Sequence, residues 1–179
     1  MESKLTGSNY LVIRRIFISQ FLLIVAFSLL AIAAYSWPER IGSFFFAFIL
    51  GCLGGSVALL KRIHKSDAKV VEEMATYWVA ILMPMLYGGV MSSIAYLLFM
   101  SGILSGDGGN GLFTSNLFPN FTSPDPQGGE LLSFKQIVQM RPESLKDAGK
   151  LMVWCFLAGY SENFVIGILK QLERSKETK

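Results

Sequence analysis

The chain has 179 residues, of which 52% are hydrophobic and 16% charged, against about 25% charged in an ordinary soluble domain. With a mean hydropathy of +0.46 it holds more long apolar runs than a soluble chain of this size buries, which excludes a soluble globular domain and points to an integral membrane protein. The net charge of +3 is small, and the two cysteines, Cys52 and Cys155, lie inside apolar runs, which excludes a disulfide framework.

Four stretches have the roughly 20 mostly apolar residues that a membrane crossing needs. The first is residues 16–37, IFISQFLLIVAFSLLAIAAYSW. Arg14-Arg15 ahead of it and Ala31-Ile32-Ala33 within it resemble an export signal, but the length fits an uncleaved anchor better. The second, residues 41–60, follows after only Pro38, Glu39 and Arg40, so the two form a tight antiparallel hairpin. The third, residues 76–104, is longer than needed, and Pro84 with Gly88-Gly89 predicts a kink or tilt. The fourth, residues 148–169, begins after a helix start at Pro142 and Glu143. The fold class expected is therefore all-α: a single polytopic membrane domain of four helices.

Lys and Arg near the span ends set the orientation. Lys4, Arg14 and Arg15, then Lys61, Arg62, Lys65 and Lys69, then Lys170, Arg174, Lys176 and Lys179 fall on one side if both termini are cytoplasmic. This gives an N-in/C-in topology with residues 1–15, 61–75 and 170–179 inside and a loop, 105–147, outside. Trp37 and Trp154 at outer ends and Tyr77 and Trp78 at an inner end agree as interfacial anchors. In the loop, Leu112, Phe113, Leu117, Phe118 and Phe121 predict packing onto the bundle or a neighbouring subunit. Ser133 and Gln136 suggest a short capped interfacial helix.

Small residues mark helix contacts. Ser43, Ala47, Gly51 and Gly55 recur every fourth residue, a spacing that lets helices approach closely either within the chain or between subunits. Gly88, Gly89, Ser92 and Ser93 form a second patch, read as a close crossing with serines bonding back to the preceding turn or as a cavity lining. In the fourth span, Glu162 lies between Ser161 and Asn163 and eight residues before Lys170, about 12 Å along a straight helix. An ionisable group there needs a partner, with Arg62, Lys61 or the Arg14-Arg15 pair within reach; the alternative is a proton, cation or gating site. Lys61, Arg62, His64, Lys65, Lys170 and Arg174 are candidates for docking a soluble partner.

No catalytic constellation, metal spacing or phosphate loop is present, and no cofactor or enzymatic activity is expected. Asn120-Phe121-Thr122 matches a glycosylation sequon, relevant only in a eukaryotic secretory host. The segments FILGCLGGSVALLKRI, LMPMLYGGVMSSIAYLLFMSGILSGDGGNGLFTSNLFPNF and WCFLAGYSENFVIGIL together resemble a class of small four-helix bacterial inner-membrane proteins that often end in an A-G-F-S-E-R type motif. Here that motif is Ala158-Gly159-Tyr160-Ser161-Glu162-Asn163, with Asn163 replacing the arginine and removing a neighbouring positive charge. In length, topology and lack of enzyme motifs the chain is similar to the membrane subunit of the Kiwa antiphage defence system. That resemblance implies a homo-oligomer, a tetramer, that senses envelope perturbation and docks a cytoplasmic DNA-binding partner, with no direct nucleic-acid contact of its own. The resulting expectation is a non-enzymatic sensor and scaffold. The alternatives are an oligomeric ion channel or membrane-disrupting effector with Ser92, Ser93 and Glu162 near its path, or a small transporter, weakened by the lack of an internal repeat.

Overall fold

The structure is a computed structural model that describes residues 2–36, 42–63, 66–101, 117–122, 140–161, 163–167 and 170, with backbone alone at 2–9 and 68. Among these residues every regular element is a helix, and the single extended pairing is an isolated bridge between Phe121 and Pro142. The helices are α1 (Glu2–Ser36), α2 (Ser43–Ile63), α3 (Ala68–Thr76), α4 (Trp78–Met100) and α5 (Leu145–Tyr160). Tyr10–Ser36, Ser43–Ile63 and Trp78–Met100 are long and apolar enough to cross a membrane. At 1.5 Å per residue they extend about 40, 32 and 35 Å, against a hydrocarbon layer of about 30 Å. α5 extends about 24 Å and is not one of the three.

The bundle has a basic end and a loop end. Lys61 and Arg62 close α2 at the basic end, where Arg15 donates to Met74 O at 3.3 Å and lies 5.1 Å from the ring centre of Trp78. Tyr77 is extended (φ −111°, ψ 118°), so α3 and α4 are separate helices and α4 begins at Trp78. α3 buries Val71 and Met74 against α1 and α4 while Lys69, Glu72 and Glu73 stay exposed. α4 then runs unbroken through Pro84 to Met100.

α2, α4 and α5 form the core, and their backbones nearly touch. A Cβ placed on Gly51 would lie 2.5 Å from Gly88 O, one on Gly55 2.8 Å from Pro84 O, and one on Gly159 2.6 Å from Gly51 Cα. A Cβ on Gly54 would meet the backbone of Phe156 and Tyr160. No larger residue fits such positions without moving a helix. Lipid tails are as apolar as leucine, so close van der Waals contact of this kind is what holds helices together in a bilayer. The crossing is pinned by Ser92 Oγ, fully buried, which donates to Ala47 O at 2.7 Å, while Ser93 bonds back to Gly89 O at 3.0 Å.

α1 is attached along one half. Val12, Ile16 and Ser19 are buried, and Gln20 Nε2 donates to Ser56 Oγ at 3.1 Å. Beyond it Phe21, Ile24, Leu29 and Ile32 are exposed, as suits a lipid-facing helix that is apolar on every side.

Substituting Gly159 or Gly51 with alanine or leucine should destabilise the bundle by about 1–3 kcal/mol, through the overpacking that a forced side chain causes. At Gly149 a Cβ meets nothing within 4 Å. Gly149→Ala should therefore be neutral or stabilising by up to about 1 kcal/mol. Midpoints of SDS or thermal unfolding of the purified protein check both, and equal effects at Gly149 and Gly159 would contradict the crossing.

α5 is capped at its start by Ser144, whose hydroxyl accepts from Asp147 N at 3.2 Å and donates to the Asp147 carboxylate. Lys150 Nζ lies 3.0 Å from the same carboxylate. These bonds, Ser144 first and then Lys150, hold the Asp147 carboxyl below its ordinary range. The stabilisation is complete above the unfolded value, about 3.9, and is lost as pH falls through the lower folded value. Ser144→Ala should cost about 1 kcal/mol. Asp147→Asn should flatten the acid limb of a stability-against-pH curve.

Candidate functional site

Gly159 fixes how deep α5 penetrates. It meets Gly51, eight residues from the start of α2 and twelve from its end, and Gly88, ten residues from the start of α4 and twelve from its end. These distances, about 12 to 18 Å in each direction, put Gly159 near mid-depth of both spanning helices. α5 stops one residue later. Ser161 takes an extended conformation (φ −127°, ψ 101°), its N–H donating to Leu157 O at 2.9 Å to close the helix. Its own carbonyl accepts from Phe164 N at 3.1 Å, and residues 163–167 are again helical. The continuous span expected over 148–169 is thus interrupted at mid-depth. Serine and asparagine bond readily to nearby backbone and so favour helix ends over helix interiors.

The chain after the break packs toward the loop end. Phe164 stacks on Trp154 with ring centres 5.1 Å apart. A straight helix would separate their backbones by about 15 Å on different faces. Val165, fully buried, joins the cluster of Tyr96, Phe99, Phe118, Leu151 and Cys155. The 1.5 Å ruler laid from Lys170 along a straight helix therefore does not apply.

An aromatic cap closes the loop end. Phe118 stacks on Trp154 at 5.5 Å and meets Phe99 at 5.7 Å, while Trp154 Nε1 donates to Leu117 O at 2.9 Å. Phe121 meets Tyr96 edge-on at 5.7 Å, and Thr122 N and Glu143 N donate across to Arg141 O and Asn120 O. Phe118 and Phe121 are the loop aromatics that the structure places on the bundle. Leu117 is exposed, and Leu112, Phe113, Trp37 and the short helix expected from Ser133 lie outside the described residues.

On the other side of the break is a half-open cavity of about 200 Å³. Its polar lining comes from Arg62, Tyr87, Tyr160, Ser161 and Asn163, and Ala58, Leu59 and Pro84 supply apolar wall. Non-helical backbone at membrane depth is tolerated where it is buried in protein or lines a wet cavity, and Ser161 meets that condition. Beside the cavity Lys61 Nζ donates to Tyr160 Oη at 3.1 Å and lies 5.7 Å from the tyrosine ring centre.

The residues singled out by sequence divide three ways. Arg62, Ser161 and Asn163 come together at the cavity, with Gly55 on its wall and Lys61 at its side. Gly51, Gly55, Gly88, Gly89 and Ser92 form the intrachain crossing, while Ser43 and Ala47 border an apolar cleft of about 170 Å³ with Leu151 and Cys155. Glu162, His64, Lys65 and Arg174 lie outside the described residues, and Lys170 is exposed. Arg15 is engaged with Met74 and Trp78 rather than with α5. Sequence reading missed Tyr87, Tyr160 and Gly54. A signal for Gly54 was present, since Gly51, Gly54 and Gly55 together glycinate two faces of α2. No metal-binding group of His, Cys, Asp and Glu occurs among the described residues. No protein-family model, no characterised protein and no solved structure matches the chain.

Proposed function

We propose that this protein is a non-enzymatic membrane scaffold in which α5 couples the loop end to the basic end, where a soluble partner docks. The observation that carries this reading is the double attachment of one short helix. Trp154 ties α5 to the loop segment, Tyr160 ties it to Lys61, and Gly159 locks it to α2 and α4 between the two. A shift of the loop segment has a packed path to the basic end about six residues away along one rigid helix. The aromatic stack at the loop end supports a scaffold over a pore through a single chain, because the cavity stops beneath it.

Arg15, Lys61 and Arg62 share one end, which supports an orientation with that end cytoplasmic. Residence in a bacterial inner membrane, homo-oligomeric assembly and a role as an antiphage sensor with a DNA-binding partner rest on the resemblance to the Kiwa membrane subunit, and a fourth crossing rests on the apolar run 148–169.

Trp154→Ala should raise amide hydrogen exchange several-fold in residues 157–161. Phe27→Ala, which removes the edge contact to Phe46 at 5.4 Å on the far side of α2, should leave those amides unchanged. Equal exchange in both variants would sink the coupling. By the positive-inside distribution of Lys170, Arg174, Lys176 and Lys179, a reporter fused after Lys179 should read cytoplasmic; an external signal, which the packing of Phe164 and Val165 toward the loop end would favour, would remove the fourth crossing.

A further inference from the structure

The segment 117–122 is tied to one face of α5 at three successive positions. Trp154 Nε1 donates to Leu117 O at 2.9 Å, Lys150 Nζ to Phe118 O at 3.4 Å, and the Asn120 N–H to the Asp147 carboxylate. Residues 147, 150 and 154 stand three and four apart, the spacing of one helix face. The segment thus lies as a strap along the start of α5, with its own Phe118 and Pro119 buried. Its other edge is held by a bridge, in which Thr122 N donates to Arg141 O at 3.1 Å and Glu143 N to Asn120 O at 3.0 Å.

These ties meet at Asp147, whose side chain is only 10% exposed. Its carboxylate accepts from Ser144 Oγ, from Lys150 Nζ and from the Asn120 N–H, while Asp147 N donates back to Ser144 Oγ. Through Asn120 it holds the strap directly, and through Lys150 it reaches Phe118 O. Among the described residues the charge that acts on it is that of Lys150, while Arg141, Glu143 and Lys146 are exposed. A carboxylate offers acceptors alone, which suits three converging donors; a carboxylic acid puts a further donor among them.

We propose that Asp147 is an acid-operated latch: its carboxylate holds the strap 117–122 on α5, and its protonation lets the strap open. The closed state favours the charged form, so the carboxyl titrates below its ordinary range. The latch is fully closed above the open-state value, about 3.9, and opens as pH falls through the lower closed-state value. Neutral and mildly acidic media leave it shut. Opening lifts Phe118 from Trp154 and Phe99 and uncovers aromatic surface at the loop end. On the scaffold reading it also frees the loop end of α5, but exchange in the strap itself is independent of that reading.

Amide hydrogen exchange of the purified full-length protein, corrected for the intrinsic pH dependence of exchange, tests the latch. Acidification from neutrality to a pH of about 2 should lower protection in residues 117–122 about tenfold or more, the scale of a lost hydrogen bond to a charged group, while residues 88–92 at the helix crossing stay protected. Asp147→Asn should show that loss already at neutral pH and should remove the pH dependence. Glu143→Gln, which neutralises an exposed acid beside the bridge, should match the unmodified protein. Should Asp147→Asn fail to fold, the pH series on the unmodified protein and on Glu143→Gln carries the test. Protection in 117–122 that neither acid nor Asp147→Asn changes overturns the proposal. So does an equal loss in Glu143→Gln at neutral pH, or a loss in 117–122 that always accompanies one in 88–92.

Discussion

The contact of three helix backbones at Gly51, Gly88 and Gly159 constrains the rest of the molecule. Within a bilayer, helices gain little by hiding apolar side chains from lipid, so their association depends on how closely they approach and on hydrogen bonds between them. Glycine removes the side chain that would hold the backbones apart, and Ser92 adds a bond from α4 to the α2 backbone at the same level. A contact that close has one register. It sets the depth of α5, and with it the depth of the break at Ser161 and of the cavity beneath.

From that constraint follow two unlike ends. Toward the loop, Trp154, Phe118, Phe99 and Phe164 fill the space above the crossing with stacked rings. Toward the basic end, the spanning helices continue past the point where α5 stops, and the space it vacates is lined by Arg62, Tyr87 and Asn163. α1 takes no part in the crossing. It leans on α2, α3 and α4 through Val12, Ile16 and Gln20 and leaves much of its apolar surface exposed.

Much of this was legible in the residues. The apolar stretches 16–37, 41–60 and 76–104 correspond to the helices Tyr10–Ser36, Ser43–Ile63 and Trp78–Met100, with shifted ends because hydropathy ignores the polar first turns of α1 and the extended Tyr77. The every-fourth-residue stripe on α2 marked a close contact but not its partner, and the structure supplies Gly88, Pro84 and Gly159 from the same chain. The cavity was half legible: Arg62, Ser161 and Asn163 stood out as polar groups in apolar surroundings, whereas Tyr87 and Tyr160 looked like ordinary membrane aromatics.

By itself the sequence determined that the chain is helical, that it has stretches long and apolar enough to cross a membrane, and which helix faces carry small residues, because these depend on sums and spacings along the chain. Where α5 ends was decided by tertiary structure. Hydropathy runs on past Tyr160, and the helix-end preference of Ser161 and Asn163 is too weak by itself to fix a stop there. The break is tolerable because α2 and α4 hold Gly159 at mid-depth, Ser161 bonds through both its N–H and its carbonyl, and it borders a polar cavity rather than lipid.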